Sequence, residues 1–293
     1  MEEDGSPAPE PDGISPGGDS VAAYRALTRN PSFRALAAST FLSSMGDWIG
    51  FLAIIALTAD ILGPTRAAAF AVSGVMIARV VPSLLLGPVA GVFVDRWDRR
   101  RVMITTHIGR GLVMAFIPFT NEVLTLVLAT LVIEVLSALF APAKDSVLPS
   151  IVPPSDLVAA NQVNLLTTYG TLPLGAAVYS GLVALTVSLA PAGSFLAGRP
   201  LAVPIWFNAL SFFLAAPLML LLRIPPRASR TGQLHAEAPV GAWTSLKQGV
   251  RFVATQPVIR ALILGVMVAF AVAGVVITTG EFFASLLNAG PAG

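Results

Sequence analysis

No cysteine occurs among the 293 residues, so a disulfide framework, a thiolate metal site and a catalytic cysteine are all excluded. Two histidines are too few for a His-based metal cluster. Charge is scarce as well. Asp, Glu, Lys and Arg make up 12% of the chain against 55% hydrophobic residues, and the mean hydropathy is +0.78. So small a polar share cannot clothe a soluble globule of this length, and a bilayer is the natural solvent. The sequence has no intramembrane Ser-His or Asp-Asp hydrolytic arrangement, no His-Glu-x-x-His and no phosphate-binding P-loop, which speaks against an enzyme and against ATP as a driving force. Nothing points to a cofactor, a metal or a nucleic-acid partner.

The opening stretch, Met1 to about Asp19, mixes Pro, Gly and Ser with six acidic residues and lacks apolar periodicity. It reads as a disordered tail, taken to residue 24 in the domain layout. It has neither the basic start nor the apolar core of a secretory signal peptide, so the chain is expected to enter the membrane through a first helix that it keeps. Seven later stretches approach or exceed the roughly 20 apolar residues that cross a hydrocarbon core of about 30 Å. They are Phe33 to Ala59, Ala67 to Val94, Val102 to Thr120, Val123 to Ala141, Val158 to Leu189, Leu201 to Leu222 and Val258 to Phe283. The fifth is longer than a bilayer requires, and Ser155-Asp156 after Pro153-Pro154 reads as a capped turn at its start. The layout is an all-α membrane protein: a six-helix bundle over residues 25–222, a hydrophilic linker over 223–256, and a seventh span in 257–293.

Short cytoplasmic loops retain Lys and Arg, so the distribution of these residues predicts orientation. With the N-terminus inside, fourteen of the eighteen fall on the cytoplasmic side, including Arg25, Arg29, Arg34, the cluster at 96–101, and Lys144 after span 4. Arg66 and Arg199 fall in outer loops, while Arg79 and Arg110 lie inside spans. A multi-pass protein of the cell membrane is therefore expected.

Between spans 2 and 3 the chain reads Gly87-Pro88-Val89-Ala90-Gly91, then Asp95-Arg96-Trp97-Asp98-Arg99-Arg100-Arg101. Gly87 and Gly91 form a small-xxx-small face that admits a neighbouring helix. Asp95 can cap or pair with the positive end of a partner helix, and Arg96, Arg99 and Arg100 can bridge to carboxylates or lipid headgroups. A purely topogenic basic loop would also satisfy these arginines. The run resembles the signature of the major facilitator superfamily, in which this element stabilises one state of an alternating-access cycle. Asp98 stands where the wider family prefers Gly. Further runs, among them Asn30-Pro31-Ser32-Phe33-Arg34, Gly46-Asp47-Trp48, Leu148-Pro149-Ser150 and Asn208-Ala209-Leu210, are similar to the efflux-type branch that includes enterobactin-exporter-like and macrolide-efflux-like permeases. That resemblance implies twelve helices in two halves, so the chain is expected to be truncated after the first helix of a second half. The Gly-Pro-x-x-Gly-Gly run of drug antiporters is weak here, as Leu172-Pro173-Leu174-Gly175-Ala176-Ala177.

Ionisable groups at helix centres cost about 2.5 to 3.5 kcal/mol each, so they persist where they are paired or face water. Asp47, Arg79 and Glu134 fall near mid-span and Arg110 in the inner half of span 3. Two acids and two bases sum to zero, as in a charge network lining a central cavity. Either they are static pairs that fix helix register, or Asp47, with Glu134 second, exchanges protons as the cavity alternates its exposure. His107, one turn before Arg110, could join a relay or simply hold a hydrogen bond. Among the tryptophans, Trp48 alone is placed to touch a substrate. The reading is a secondary active transporter that exports a small amphipathic solute of drug, macrolide or siderophore type in exchange for protons. A non-transporting membrane module, or a half-transporter that needs a partner chain, is the alternative.

Overall fold

A computed structural model describes residues 18–63, 65–94, 97–224, 251–265, 267–269, 272 and 275. Among the described residues up to 224, the fold is carried by α1 (Gly18–Arg29), α2 (Pro31–Leu62), α3 (Arg66–Val94), α4 (Arg99–Phe116), α5 (Val123–Ile151), α6 (Leu157–Tyr169), α7 (Leu172–Leu189) and α8 (Ala202–Leu218). No strand occurs among the described residues. Spans 1 to 6 of the sequence reading correspond to α2, α3, α4, α5, the α6–α7 pair and α8, and among the described residues six stretches are long and apolar enough to cross a membrane. Of span 7, Pro257–Ala269 is an apolar helix shorter than a full crossing, and the remainder to Phe283 lies almost wholly outside the described residues.

Four boundaries differ from the sequence reading, each for a local reason. Residues 18–24, read as tail, begin α1, an amphipathic helix whose Leu27 is buried and whose Tyr24 hydroxyl donates to Gln162 of α6. Helix α2 starts at Pro31 because Asn30 caps it, accepting from the Ser32 and Phe33 amides at 3.0 and 3.1 Å, and Pro at the first position costs no hydrogen bond. Helix α5 runs through Pro142 and Pro149 to Ile151, well past the expected end at Ala141, so Lys144 belongs to the helix rather than to a loop after it. The far end of the helix is held by the Asn30 side-chain amide, which donates to the Ile151 carbonyl at 2.7 Å. Span 5 is divided at Gly170-Thr171, because Pro173 offers no amide to the Tyr169 carbonyl and its ring crowds that group. At the start of span 5, Pro154–Asp156 form a 3-10 turn without the expected side-chain cap.

The closest helix pairings are α2 with α8, α3 with α5, and α4 with both α5 and α8. Glycines make the α2–α8 seam. A Cβ on Gly46 would stand 1.9 Å from the Ser211 hydroxyl, and one on Gly50 would stand 2.1 Å from the Asn208 amide nitrogen. Gly175 of α7 likewise lies against Trp48. Two apolar clusters fill the bundle. One, at the end where α2 begins, gathers Phe33, Leu36, Met103, Phe140, Val147 and Met219. The other, toward the opposite end, gathers Ile49, Ile54, Met114, Leu126, Ile205 and Phe212. A belt of buried polar side chains accompanies the packing between them, including Ser39, Ser43, His107, Arg110, Glu134, Asn208 and Ser211.

Candidate functional site

The four intramembrane charges form two cross-helix pairs. Arg79 of α3 places Nη1 3.3 Å from Glu134 Oε1 of α5, with the side chains 29% and 11% exposed. Arg110 of α4 places Nη1 3.7 Å from Asp47 Oδ2 of α2, with the side chains 3% and 29% exposed. The pairs share neighbours on α5, since Ser137, one turn beyond Glu134, accepts from Arg110 Nη1 at 3.4 Å. Arg79 also lies over the Phe51 ring of α2, 4.5 Å from its centroid. Each pair thus ties two non-consecutive helices, and each exposes one member more than the other.

Aromatic faces hold Arg110 in place. Its guanidinium carbon lies 4.7 Å from the Phe140 centroid and 4.4 Å from that of Phe212, within cation–π range of both rings. Arg110 Nη2 lies 3.0 Å from His107 Nδ1, and a guanidinium only donates, so Nδ1 must be the acceptor. A neutral imidazole then carries its proton on Nε2, which faces Ser39 Oγ at 3.4 Å, and Ser39 donates onward to the Ala215 carbonyl at 3.0 Å. His107 is thereby committed at both nitrogens, the hydrogen-bonding role foreseen as the alternative to a relay. Arg110 Nε is buried with no partner among the described residues. Trp48 donates from Nε1 to the Thr168 carbonyl at 3.1 Å, and its ring meets Phe51 edge-on.

The signature loop is described in part, since Asp95 and Arg96 lie outside the described residues. A Cβ on Gly87 or Gly91 would meet nothing within 4 Å, so the small-residue face is open and receives no helix of the described chain. Close approaches among the described residues include those at Gly46, Gly50 and Gly175. Arg99 Nη1 donates to the Ser146 carbonyl of α5 at 3.1 Å, and Arg100 Nη2 donates to the Leu222 carbonyl just beyond α8. Both contacts tie the loop to backbone carbonyls of neighbouring elements. Asp98 is the N-cap of α4 and accepts from the Arg101 amide at 3.0 Å, which gives the departure from Gly a physical reason. Sequence reasoning missed Ser39, Ser137 and the two phenylalanines, because side chains of these types have no outward mark of partnership with a buried arginine.

Residues 26–291 match the profile of the Major Facilitator Superfamily. Among curated proteins, the chain is 28% identical over 225 residues to YfiS, an MFS-type transporter of Bacillus subtilis (strain 168), covering 76% of this chain and 49% of that protein. It is 28% identical over 269 residues to Rv0037c, an MFS-type transporter of Mycobacterium tuberculosis, covering 84% of this chain and 55% of the relative. It is 27% identical over 229 residues to BacE of Bacillus subtilis, a candidate bacilysin exporter, covering 77% and 51%. The chain therefore spans about half the length of the curated relatives it matches. No solved structure matches it significantly. Six apolar spans among the described residues, a transporter family's profile along most of the sequence and relatives of the same kind bear out the non-enzyme reading: the chain is a multi-pass membrane protein and belongs to the Major Facilitator Superfamily.

Proposed function

We propose that the chain serves secondary active transport by alternating access, exporting a small amphipathic solute in exchange for protons. The observation that carries this reading is the Asp47–Arg110 pair. A part-exposed carboxylate faces an arginine that two aromatic rings and a histidine hold inside the bundle. Protonating Asp47 removes the ion pair, so proton occupancy and the tie between α2 and α4 exclude one another. Glu134 and Arg79 offer a second such pair between α3 and α5. In this reading the tail, the 96–101 loop and the linker face the cytoplasm, as the distribution of Lys and Arg favours. Gly87, Gly91, Asp95, Arg96, Arg99 and Arg100 form the conformational switch. The apolar helix from Pro257 opens a second half.

A half-transporter that needs a partner is the second reading. Its support is the open face at Gly87 and Gly91 on α3. One assay addresses both: efflux of fluorescent drugs and siderophore-like solutes from cells expressing the chain, with and without a protonophore, beside Asp47→Asn. Efflux that the protonophore abolishes and Asp47→Asn removes is the expected result. Efflux unchanged in Asp47→Asn sinks the coupling role. Correctly inserted protein without efflux favours the half-transporter.

A further inference from the structure

At the end of the bundle where α2 stops and α8 starts, a cavity of about 340 Å³ opens between Asp60, Pro118, Thr120, Asn121 and Arg199. It lies apart from the paired charges of the bundle interior. Its two polar walls carry opposite signs. Asp60 belongs to the last turn of α2, where the terminal carbonyls add negative partial charge. Arg199 precedes α8, whose positive end adds to the guanidinium: no side chain caps that end, and of its first amides Ala202 bonds the Arg199 carbonyl and Pro204 has no N–H, which leaves that of Val203. Each wall therefore pairs a side chain with a helix end of the same sign.

The two charges do not neutralise one another: no ion pair joins Asp60 and Arg199 among the described residues. Arg199 is held to its own wall by donating from Nη1 to the Pro118 carbonyl and by lying 5.0 Å over the Phe195 ring. Between the walls the lining is apolar, from Leu57, Ile61 and Ile205. Thr120 accepts from the Glu122 amide at 3.2 Å, which leaves its hydroxyl proton to donate.

From this polarity we infer that the cavity binds a small zwitterion whose ammonium and carboxylate are separated by an apolar spacer. The ammonium faces Asp60 and the end of α2. The carboxylate faces Arg199, the Thr120 hydroxyl and the start of α8. Methylenes cover Leu57, Ile61 and Ile205. The site holds whether or not the chain exports a solute, so its test is separate from the efflux assay.

The test uses the full chain in lipid nanodiscs and displacement of tritiated 6-aminohexanoate by unlabelled 6-aminohexanoate, 4-aminobutyrate, hexylamine and hexanoate. Saturable binding is expected, with the two single-charge analogues at least about tenfold weaker than the zwitterion of the same length. Asp60→Asn should weaken 6-aminohexanoate by roughly tenfold and leave hexanoate nearly unchanged. Because Arg199 also holds a backbone carbonyl, Arg199→Gln is compared with Arg199→Lys, each with its thermal unfolding recorded. Loss of binding in the Gln variant that the Lys variant restores assigns the effect to charge. Absence of saturable binding, hexylamine or hexanoate displacing as well as the zwitterion, or wild-type affinity in Asp60→Asn would each overturn the inference.

Discussion

Arg110 illustrates how a guanidinium is made tolerable inside a membrane helix. Two aromatic faces, an imidazole nitrogen, a serine and a carboxylate surround it, and the neutral histidine does this only as one tautomer. With 15N-histidine labelling in nanodiscs, His107 should show the Nε2–H form, and His107→Asn should remove that signal and leave the one from His235. An Nδ1–H form at His107 would contradict the Arg110 contact. For the other pair, Glu134→Gln leaves Arg79 without its carboxylate. It should destabilise the protein on the order of 2 to 4 kcal/mol by unfolding in detergent, whereas Arg79→Met with Glu134→Met should recover most of that loss. At this scale the sequence showed which residues bear charge but not which partners they choose. Asp47 and Arg110, like Arg79 and Glu134, are joined only once helices distant along the chain pack together.

At the scale of an element, the glycines of α2 and α3 have opposite circumstances although both sets lie in long apolar helices. Gly46→Ala pushes a methyl into Ser211 and should cost about 1 to 3 kcal/mol, measured by thermal unfolding of the purified chain. Gly87→Ala and Gly91→Ala meet open space and should stay within about 0.5 kcal/mol of wild type. Equal losses from α2 and α3 would mean that the α2–α8 seam is not the tight one. Asn30 serves two elements at once, capping α2 and bonding the end of α5. Asn30→Asp would set a carboxylate oxygen against the Ile151 carbonyl, so the cap is isolated by Asn30→Ser, which keeps an acceptor, beside Asn30→Ala, which loses it and should cost about 1 kcal/mol more in the same measurement. Helix existence was legible because a bilayer demands length and apolarity. Helix limits were less so: Pro142 and Pro149 leave α5 unbroken whereas Pro173 accompanies the break between α6 and α7, and the outcome depends on what re-satisfies the freed carbonyls.

For the molecule as a whole, the absence of cysteine makes topology directly measurable. Single cysteines at Arg25 and at Gly198 should divide under a membrane-impermeant maleimide in intact cells. The second should label from outside, and the first only after the membrane is opened. The reverse pattern would invert the orientation drawn from the basic residues. Helix α1 escaped the sequence reading because it is short and follows a Pro-, Gly- and Ser-rich stretch, and its Leu27 and Tyr24 acquire meaning only against α2 and α6.

The charge pairs also bear on the order of biosynthesis. Asp47 and Arg79 leave the ribosome well before Arg110 and Glu134, so α2 and α3 reach the bilayer with one acid and one base and neither of their final partners. The two opposite charges lie within electrostatic reach of one another, so each can answer the other while the pair of helices waits for α4 and α5. Completing the bundle is then an exchange of partners, and removal of Glu134 or Arg110 would leave that exchange half made.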